Sequence, residues 1–305
     1  MNVILLAGGL GGSRFARALT ETLMPGDVTV VGNVGDDLEV SGLHVSPDLD
    51  TILYTLAGVL DEERGWGRAD ETWNARGAAT RLGGETWFQL GDLDLGLHLV
   101  RTEALRRGEA LSAVTARLTD SFGVEATLLP ATDDRLRTWV STPAGEFPFQ
   151  EWFVRRQHRD EVDAVRFEGA EEAAAAPGVL DALEAADLIA IAPSNPFLSI
   201  GPVLAVAEIC NALESRTVPA VAVSPLIGGR TVRGPADRML ARLAGGTGPA
   251  QVASCYKGLI DALVIDEADA EQAGEAPVRT IVTTTFMRDA DARRRLAEAV
   301  LGVPV

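Results

Sequence analysis

Lysine is nearly missing from this 305-residue sequence: of 27 basic residues, Lys257 is the single lysine. Cysteine and histidine are almost as scarce. Cys210 and Cys255 lie far apart and in no metal-ligand spacing, which excludes a disulfide framework and a cysteine metal centre and leaves two reduced, partly buried thiols. His44, His98 and His158 show no paired ligand spacing and read as surface or satisfied histidines. Gly-x-Ser-x-Gly is absent and no Ser-His-Asp order stands out, so a covalent serine mechanism has little support. No apolar run reaches the length of a membrane span. The opening stretch Asn2–Ala7 is too short for the apolar region of a signal peptide. A cytoplasmic protein is expected.

Positive charge is also short. The formal net charge is −17, which argues against nucleic acid or an anionic membrane as a partner, since both reward clustered Lys and Arg. It does not exclude a small anionic ligand, because backbone N–H groups and a metal can hold phosphate in an acidic protein. With 47% apolar and 23% charged residues the chain has the composition of a globular protein, long enough for one large α/β domain or one domain with an insert.

Residues 3–7 are a continuous apolar run ending in glycines, the pattern of a buried parallel strand. Ser13–Leu19 has helical periodicity, Pro25-Gly26 stops it, and 28–31 is a second buried strand, completing a βαβ unit. Ser46 before Pro47 predicts an N-cap for a helix over Leu49–Leu60. Residues 61–125 contain no convincing strand and three of the five tryptophans, with helical runs near 75–82 and 96–119. Short strands follow at 128–129, 137–141 and 146–149. An Ala-rich helix over 171–186 leads into the buried strand 188–192. Helix 201–213, strand 218–223, helix 235–243, strands 262–265 and 279–283 and a terminal helix 289–300 resume the alternation. The expected fold is α/β, a Rossmann-like, mostly parallel sheet flanked by helices. Its nucleotide-binding core spans 1–60 and 126–305, and a mostly helical insert or cap spans 61–125.

Three motifs carry chemistry. Ala7-Gly8-Gly9-Leu10-Gly11-Gly12-Ser13-Arg14 follows a strand and opens a helix, where glycine N–H groups can face an anion at the positive helix end. Gly8, Gly9, Gly11 and Gly12 are therefore candidate nucleotide contacts. The dinucleotide fingerprint fails at Arg14 and there is no P-loop lysine, so a Rossmann dehydrogenase is disfavoured. The acidic set Asp36, Asp37, Asp48 and Asp50 is either a group of solvated, helix-capping carboxylates or a Mg²⁺ site completed by substrate phosphates. Ser194 and Asn195, between Pro193 and Pro196, sit beyond a strand end, where open α/β sheets bind ligands. Ser224–Gly229 takes the equivalent place after the next strand.

In this order the strings resemble the 2-phospho-L-lactate transferase (CofD-type) family of coenzyme F-420 biosynthesis. The resemblance rests on Gly8 to Gly12, Asn33-Val34-Gly35-Asp36-Asp37, Ser46 to Leu56, Gly65-Trp66-Gly67, Glu71-Thr72-Trp73-Asn74, Leu90-Gly91-Asp92, Phe149-Gln150-Glu151-Trp152 and Ala192 to Pro196. The two tryptophan strings resemble the actinobacterial branch, whose donor carries phosphoenolpyruvate. The resemblance implies a guanosine diphosphate-linked donor, bound by the glycine loop with Asn33, Ser194 and Asn195. It also implies the deazaflavin Fo as acceptor, contacted at Asp50 and Gln89; tryptophans of the insert either stack on the flat deazaflavin or pack in the core. The ribityl hydroxyl of Fo would attack the distal phosphorus and release GMP. Mg²⁺ would be held by Asp50 with Asp48, Asp36 or Asp37, and Asp48 and Asp50 would be catalytic; Asp50 as general base ranks lower, because a metal-bound carboxylate is a poor base. A homodimer is consistent with the family. Many members have Gly-Asp-Arg-Asp-x-Ala-Thr-His where this chain reads Gly91-Asp92-Leu93-Asp94-Leu95-Gly96-Leu97-His98. If that arginine touches phosphate, Arg101 or Arg14 must replace it. The alternative reading is a nucleotide-sugar-binding regulator that shares the glycine and Pro-Ser-Asn loops without catalysis.

Overall fold

A computed structural model describes residues 1–303. Seven strands form one sheet: β1 (Val3–Ala7), β2 (Val28–Gly32), β3 (Thr127–Pro130), β4 (Leu188–Ile191), β5 (Ala220–Val223), β6 (Ala262–Asp266) and β7 (Arg279–Thr283). Their order is β7-β6-β5-β4-β1-β2-β3 and every pairing is parallel. The fold is thus the expected α/β type. All residues of β1, β4, β5 and β6 are buried, because helices cover both faces; this is why those strands read as unbroken apolar runs. Strand order reverses between β1 and β4. The loops leaving these two strands therefore diverge and open a crevice at the carboxyl edge.

Helix α1 (Gly9–Thr22) follows β1, and α2 (Pro47–Leu56) packs beside it. After α2, three further helices precede β3: Asn74–Arg81, α3 (Asp92–Arg106) and Leu111–Ser121. Gly108, at φ +87°, ends what the sequence suggested as one run over 96–119. The terminal helix α4 (Ala290–Leu301) lies on α1, where Arg293 donates to both oxygens of Glu21 at 2.8 and 3.0 Å. Among the described residues no single helix is long and apolar enough to cross a membrane.

Several expectations are corrected. Within the Ala-rich stretch only Val179–Glu184 is helical. Pro177 removes a donor and Gly178 takes φ +88°, and the alanines before them run as irregular chain, with Ala173 and Ala176 packed into the core. Helix 201–213 breaks into Gly201–Leu204 and Ala207–Glu214, and the second segment is bent 90° from the helical stretch Pro196–Leu204. A strand unseen in the sequence, Ala164–Glu168, pairs with Arg137–Thr142, which also pairs with Gly145–Pro148. This small antiparallel sheet encloses its own apolar cluster around Val140, Phe149 and Trp152.

Candidate functional site

A cavity of about 650 Å³ opens at the crevice beyond β1 and β4. The glycine loop forms its floor. Gly8 is extended and Gly9 sits at φ +65°, so α1 begins inside the glycines rather than after them. A Cβ on Gly8 would stand 2.5 Å from Asp48 Oδ2, and one on Gly12 would stand 2.9 Å from Ser194 Oγ. One on Gly11 would collide with the carbonyl oxygen of Pro193. These glycines therefore let the β1 and β4 loops touch, in addition to baring N–H groups. Gly8, Gly9 and Gly11 line the cavity; Gly12 and Asn33 stand behind it.

Ser194 donates to the Gly8 carbonyl at 2.7 Å, and Asn195 Oδ1 accepts from the N–H groups of Phe197 at 2.9 Å and Leu198 at 3.3 Å. Both residues line the cavity, and both fasten loops. Asn33 does the same from behind. Its Nδ2 donates to Asp48 Oδ2 at 2.9 Å, and its Oδ1 accepts from the Gly35 N–H at 2.7 Å.

The four expected acids are sorted into different surroundings. Asp48 and Asp50 occupy the first turn of α2 behind Pro47. Ser46 stands at the N-cap, yet its hydroxyl donates to Asp37 Oδ2 at 2.8 Å instead of capping the helix. His44 Nε2 lies 2.9 Å from the same Asp37 oxygen, and Asp37 does not reach the cavity wall. Asp36, Asp48 and Asp50 do. Burial raises the Asp48 pKa to about 6, with Asp37 adding repulsion while Asn33 and the Gly9 N–H hold the rise back. Asp36 is pushed well above the carboxylate range by burial and by Asp48, and its Oδ1 is buried with no partner.

Asp50 is held differently. Both guanidinium arms of Arg101 donate to its carboxylate, Nη1 at 3.0 Å and Nη2 closer still. Beyond Asp50, His98 lies between two acids, its Nδ1 3.8 Å from Asp50 and its Nε2 3.7 Å from Asp94. Tyr54 donates to Asp94 at 2.5 Å. Burial raises the Asp94 pKa to about 7 and lowers that of His98 to about 4, so the imidazole is neutral. In the sequence Asp94 and Tyr54 suggested no role, His98 read as a surface or satisfied histidine, and Arg101 only as a replacement phosphate contact. Asp94, His98 and Arg101 recur at i, i+4 and i+7 on α3, a one-face spacing that was legible.

Among the described residues no three His, Cys, Asp or Glu groups are gathered closely enough to enclose a metal ion. The donor chemistry nonetheless fits a Mg²⁺ completed by substrate. Asp36 and Asp48 are mutually repelling, desolvated carboxylates on the cavity wall, and Mg²⁺ commonly takes one or two carboxylates plus phosphate oxygens and water. Asp37 faces elsewhere, and Asp50 is neutralised by Arg101.

The profile of one family, described as 2-phospho-L-lactate transferase CofD, matches residues 3–302. The chain belongs to that family. It is accordingly a transferase. A phosphoenolpyruvate transferase of Streptomyces griseus is 43% identical over 310 residues, covering 99% of this chain and 98% of that protein. Another, from Mycobacterium tuberculosis, is 40% identical over 324 residues, covering 98% and 97%. A crystal structure of a Bacillus halodurans protein of the UPF0052 family superposes with a TM-score of 0.66 at 18% identity, covering 98% of each chain, a likeness of fold alone.

The rest of the cavity is apolar on one side. Tyr54, Trp66, Phe88, Phe149 and Phe153 line it, with Gln89 exposed at the rim beside Phe88. Of the three insert tryptophans only Trp66 reaches the wall. Trp73 meets Trp66 edge-on at 6.2 Å, and Trp87 meets Phe88 at 5.7 Å. The departures from the family pattern lie off this wall: Leu93 points to solvent and Leu97 to the core. Of the two arginines weighed as replacements, Arg14 lines the cavity and Arg101 does not. Arg64 and Arg233, which no sequence pattern singled out, line it as well.

Proposed function

We propose that the protein transfers a phosphoenolpyruvyl group, with 2-phospholactyl as the alternative cargo, from a guanosine diphosphate-linked donor to the ribityl hydroxyl of the deazaflavin Fo. The step belongs to coenzyme F-420 biosynthesis and takes place in the cytoplasm. The relatives at 40–43% identity are named for phosphoenolpyruvate, which favours enolpyruvate as the cargo. The observation that carries the reading is the meeting of three surfaces in one cavity: bare glycine N–H groups at the start of α1, the carboxylates Asp36 and Asp48, and an aromatic wall around Asp50 and Gln89.

In this reading the α1 N-terminus holds the donor's phosphates, and Ser194, Asn195 and Asn33 keep the two loops in place around them. Asp36 and Asp48 are the residues that hold Mg²⁺, which supplies charge neutralisation on the phosphoryl oxygens. Fo lies against Trp66 and Phe88, with Gln89 contacting its edge. Asp50, oriented by Arg101, accepts a hydrogen bond from the ribityl hydroxyl and aims its oxygen at the distal phosphorus. A new P–O bond forms to that oxygen, the bond to GMP breaks, and the hydroxyl proton departs to solvent or to GMP. Rate enhancement comes from positioning and charge, as is general for phosphoryl transfer.

The test is incubation with Fo, Mg²⁺ and each donor, following GMP release and the phosphodiester product by mass spectrometry. Enolpyruvyl transfer exceeding lactyl transfer is expected. Binding of a nucleotide sugar with no GMP from either donor would replace this reading with the regulator.

A further inference from the structure

Three arginines converge on the segment Asp61–Gly65 at the cavity wall. A Cβ on Gly65 would stand 2.9 Å from Leu10 Cδ2 and would collide with the Arg233 guanidinium. Arg14 lies one helical turn after Leu10 on the same face of α1, and Arg64 precedes Gly65. All three arginines line the cavity.

Their present bonds leave donors free. Arg14 reaches Glu62, an exposed carboxylate, at 3.1 Å through one arm. Arg64 donates to the Arg68 carbonyl at 2.7 Å, pairs with Asp61 at 3.0 Å, and stacks over Trp66 and Trp73 at 5.3 and 5.1 Å. Its Nε is buried without a partner. Arg233 donates to the carbonyls of Arg64 at 2.8 Å and Glu63 at 3.3 Å. Among the described residues none of the three pairs with Asp36, Asp48, Asp50 or Asp94. The cavity therefore keeps its cations apart from the acids of its wall: Arg14 and Arg64 each have one partner acid outside that wall, Glu62 and Asp61, and Arg233 has carbonyl partners only. Guanidinium groups with spare donors beside a phosphate-binding helix start are suited to a second anion.

Resting on the transfer reading, we propose that Arg14, Arg64 and Arg233 form a carboxylate subsite that recognises the acid of the transferred group. In an enolpyruvyl or lactyl phosphate the carboxylate sits one carbon beyond the ester oxygen. A donor with its phosphates at the start of α1 projects that carboxylate close to its phosphorus, and the arginines around Gly65 flank the same helix start. Glu62 occupies one Arg14 arm until the donor's carboxylate takes its place.

The experiment measures donor binding by calorimetry in the absence of Fo, using the lactyl donor and a guanosine diphosphate ester of ethanol, which keeps the linkage and lacks the carboxylate. The wild type should prefer the lactyl donor by about tenfold or more. Arg14→Met and Arg64→Met should each weaken the lactyl donor by about that factor and leave the ethyl donor within about twofold. Arg233→Lys, which retains charge and a carbonyl-bonding donor, should show a smaller loss of the same selectivity. Equal weakening of both donors by the arginine variants, or no wild-type preference, overturns the subsite. Carboxylate-dependent binding without GMP release on adding Fo would instead sink the transfer reading and leave the subsite standing.

Discussion

Arg101 grips Asp50 with both guanidinium arms while being almost wholly out of contact with solvent, at 1% exposure against 4% for the aspartate. Each is the other's charge partner in a place where neither can be left alone. Asp50→Asn therefore does more than remove a carboxylate from the cavity wall. It strands a buried cation, and such a loss costs about 3–5 kcal/mol. The expected result is loss of transfer together with a clear fall in thermal midpoint. Arg101→Met should destabilise in the same way. The double variant should recover much of the stability and none of the activity, which thermal denaturation and GMP release measure side by side. Additive destabilisation in the double variant would show that the two are not partners.

The raised pKa of Asp48 sets a sign for pH dependence. An aspartate titrates near 3.9 in an unfolded chain and Asp48 titrates at about 6 here, so the native state binds more protons between those values. Its contribution to stability is accordingly lost as pH rises from about 4 to about 6, and stays lost above that. In chelator, Asp48→Asn should match wild type near pH 4, gain on it as pH rises, and hold a constant advantage above about pH 7. Thermal midpoints across pH 4 to 8 check this. A constant gap at every pH would mean that Asp48 titrates normally. Mg²⁺ with guanine nucleotide should restore wild-type stability at pH 7 and not that of the variant.

Much of this arrangement was legible in the residues. The apolar runs of β1 and β4 announced a parallel sheet buried on both faces, and the glycines and Pro193–Pro196 marked the loops that flank its switch point. The Asp48 and Asp50 pair behind Pro47 marked the acidic wall. What escaped were pairings between remote segments, because spacing along a chain carries no record of them. Arg233 and Arg64 meet across 169 residues. Ser46 has the look of an N-cap, yet makes no cap bond and donates its hydroxyl to Asp37, a carboxylate nine residues earlier. The i, i+4, i+7 set Asp94, His98 and Arg101 was written on one helix face and lay outside the loops where ligand residues were sought.

Glu71 and Asp92 cap each other's helices, which gives the Glu-Thr-Trp-Asn and Gly-Asp strings a structural purpose. Glu71 accepts from the N–H groups of Leu93 and Asp94, both at 2.8 Å. Asp92 accepts from those of Asn74 and Ala75, both at 3.0 Å, and these bonds with the Thr72 hydroxyl hold its carboxyl at about 2. The start of α3, and with it Asp94 and His98, is thus pinned to the segment carrying Trp73. Glu71→Ala should cost about 1–2 kcal/mol in urea denaturation and weaken Fo binding several-fold, while guanine nucleotide binding stays unchanged. Equal loss for both ligands would show that the cap supports the whole cavity rather than the acceptor side.

Gly11 provides the sharpest separation of packing from ligand contact. A methyl group there would press on the Pro193 carbonyl oxygen, a backbone atom that cannot swing aside as a flexible side chain can. Gly11→Ala should therefore push the β4 loop from the β1 loop and loosen the bond from Ser194 to the Gly8 carbonyl, now 2.7 Å. Ser194→Ala removes that same bond and adds no bulk. If the two loops bind the donor as a unit, both variants should weaken GMP and GDP binding, Gly11→Ala by about tenfold or more and Ser194→Ala by less, since a single neutral hydrogen bond contributes only about 1 kcal/mol. Fo binding should be preserved in both. Calorimetry with each ligand reads this directly. Unaltered nucleotide affinity in Gly11→Ala would move the phosphates away from the start of α1 and leave the glycines with packing as their sole purpose.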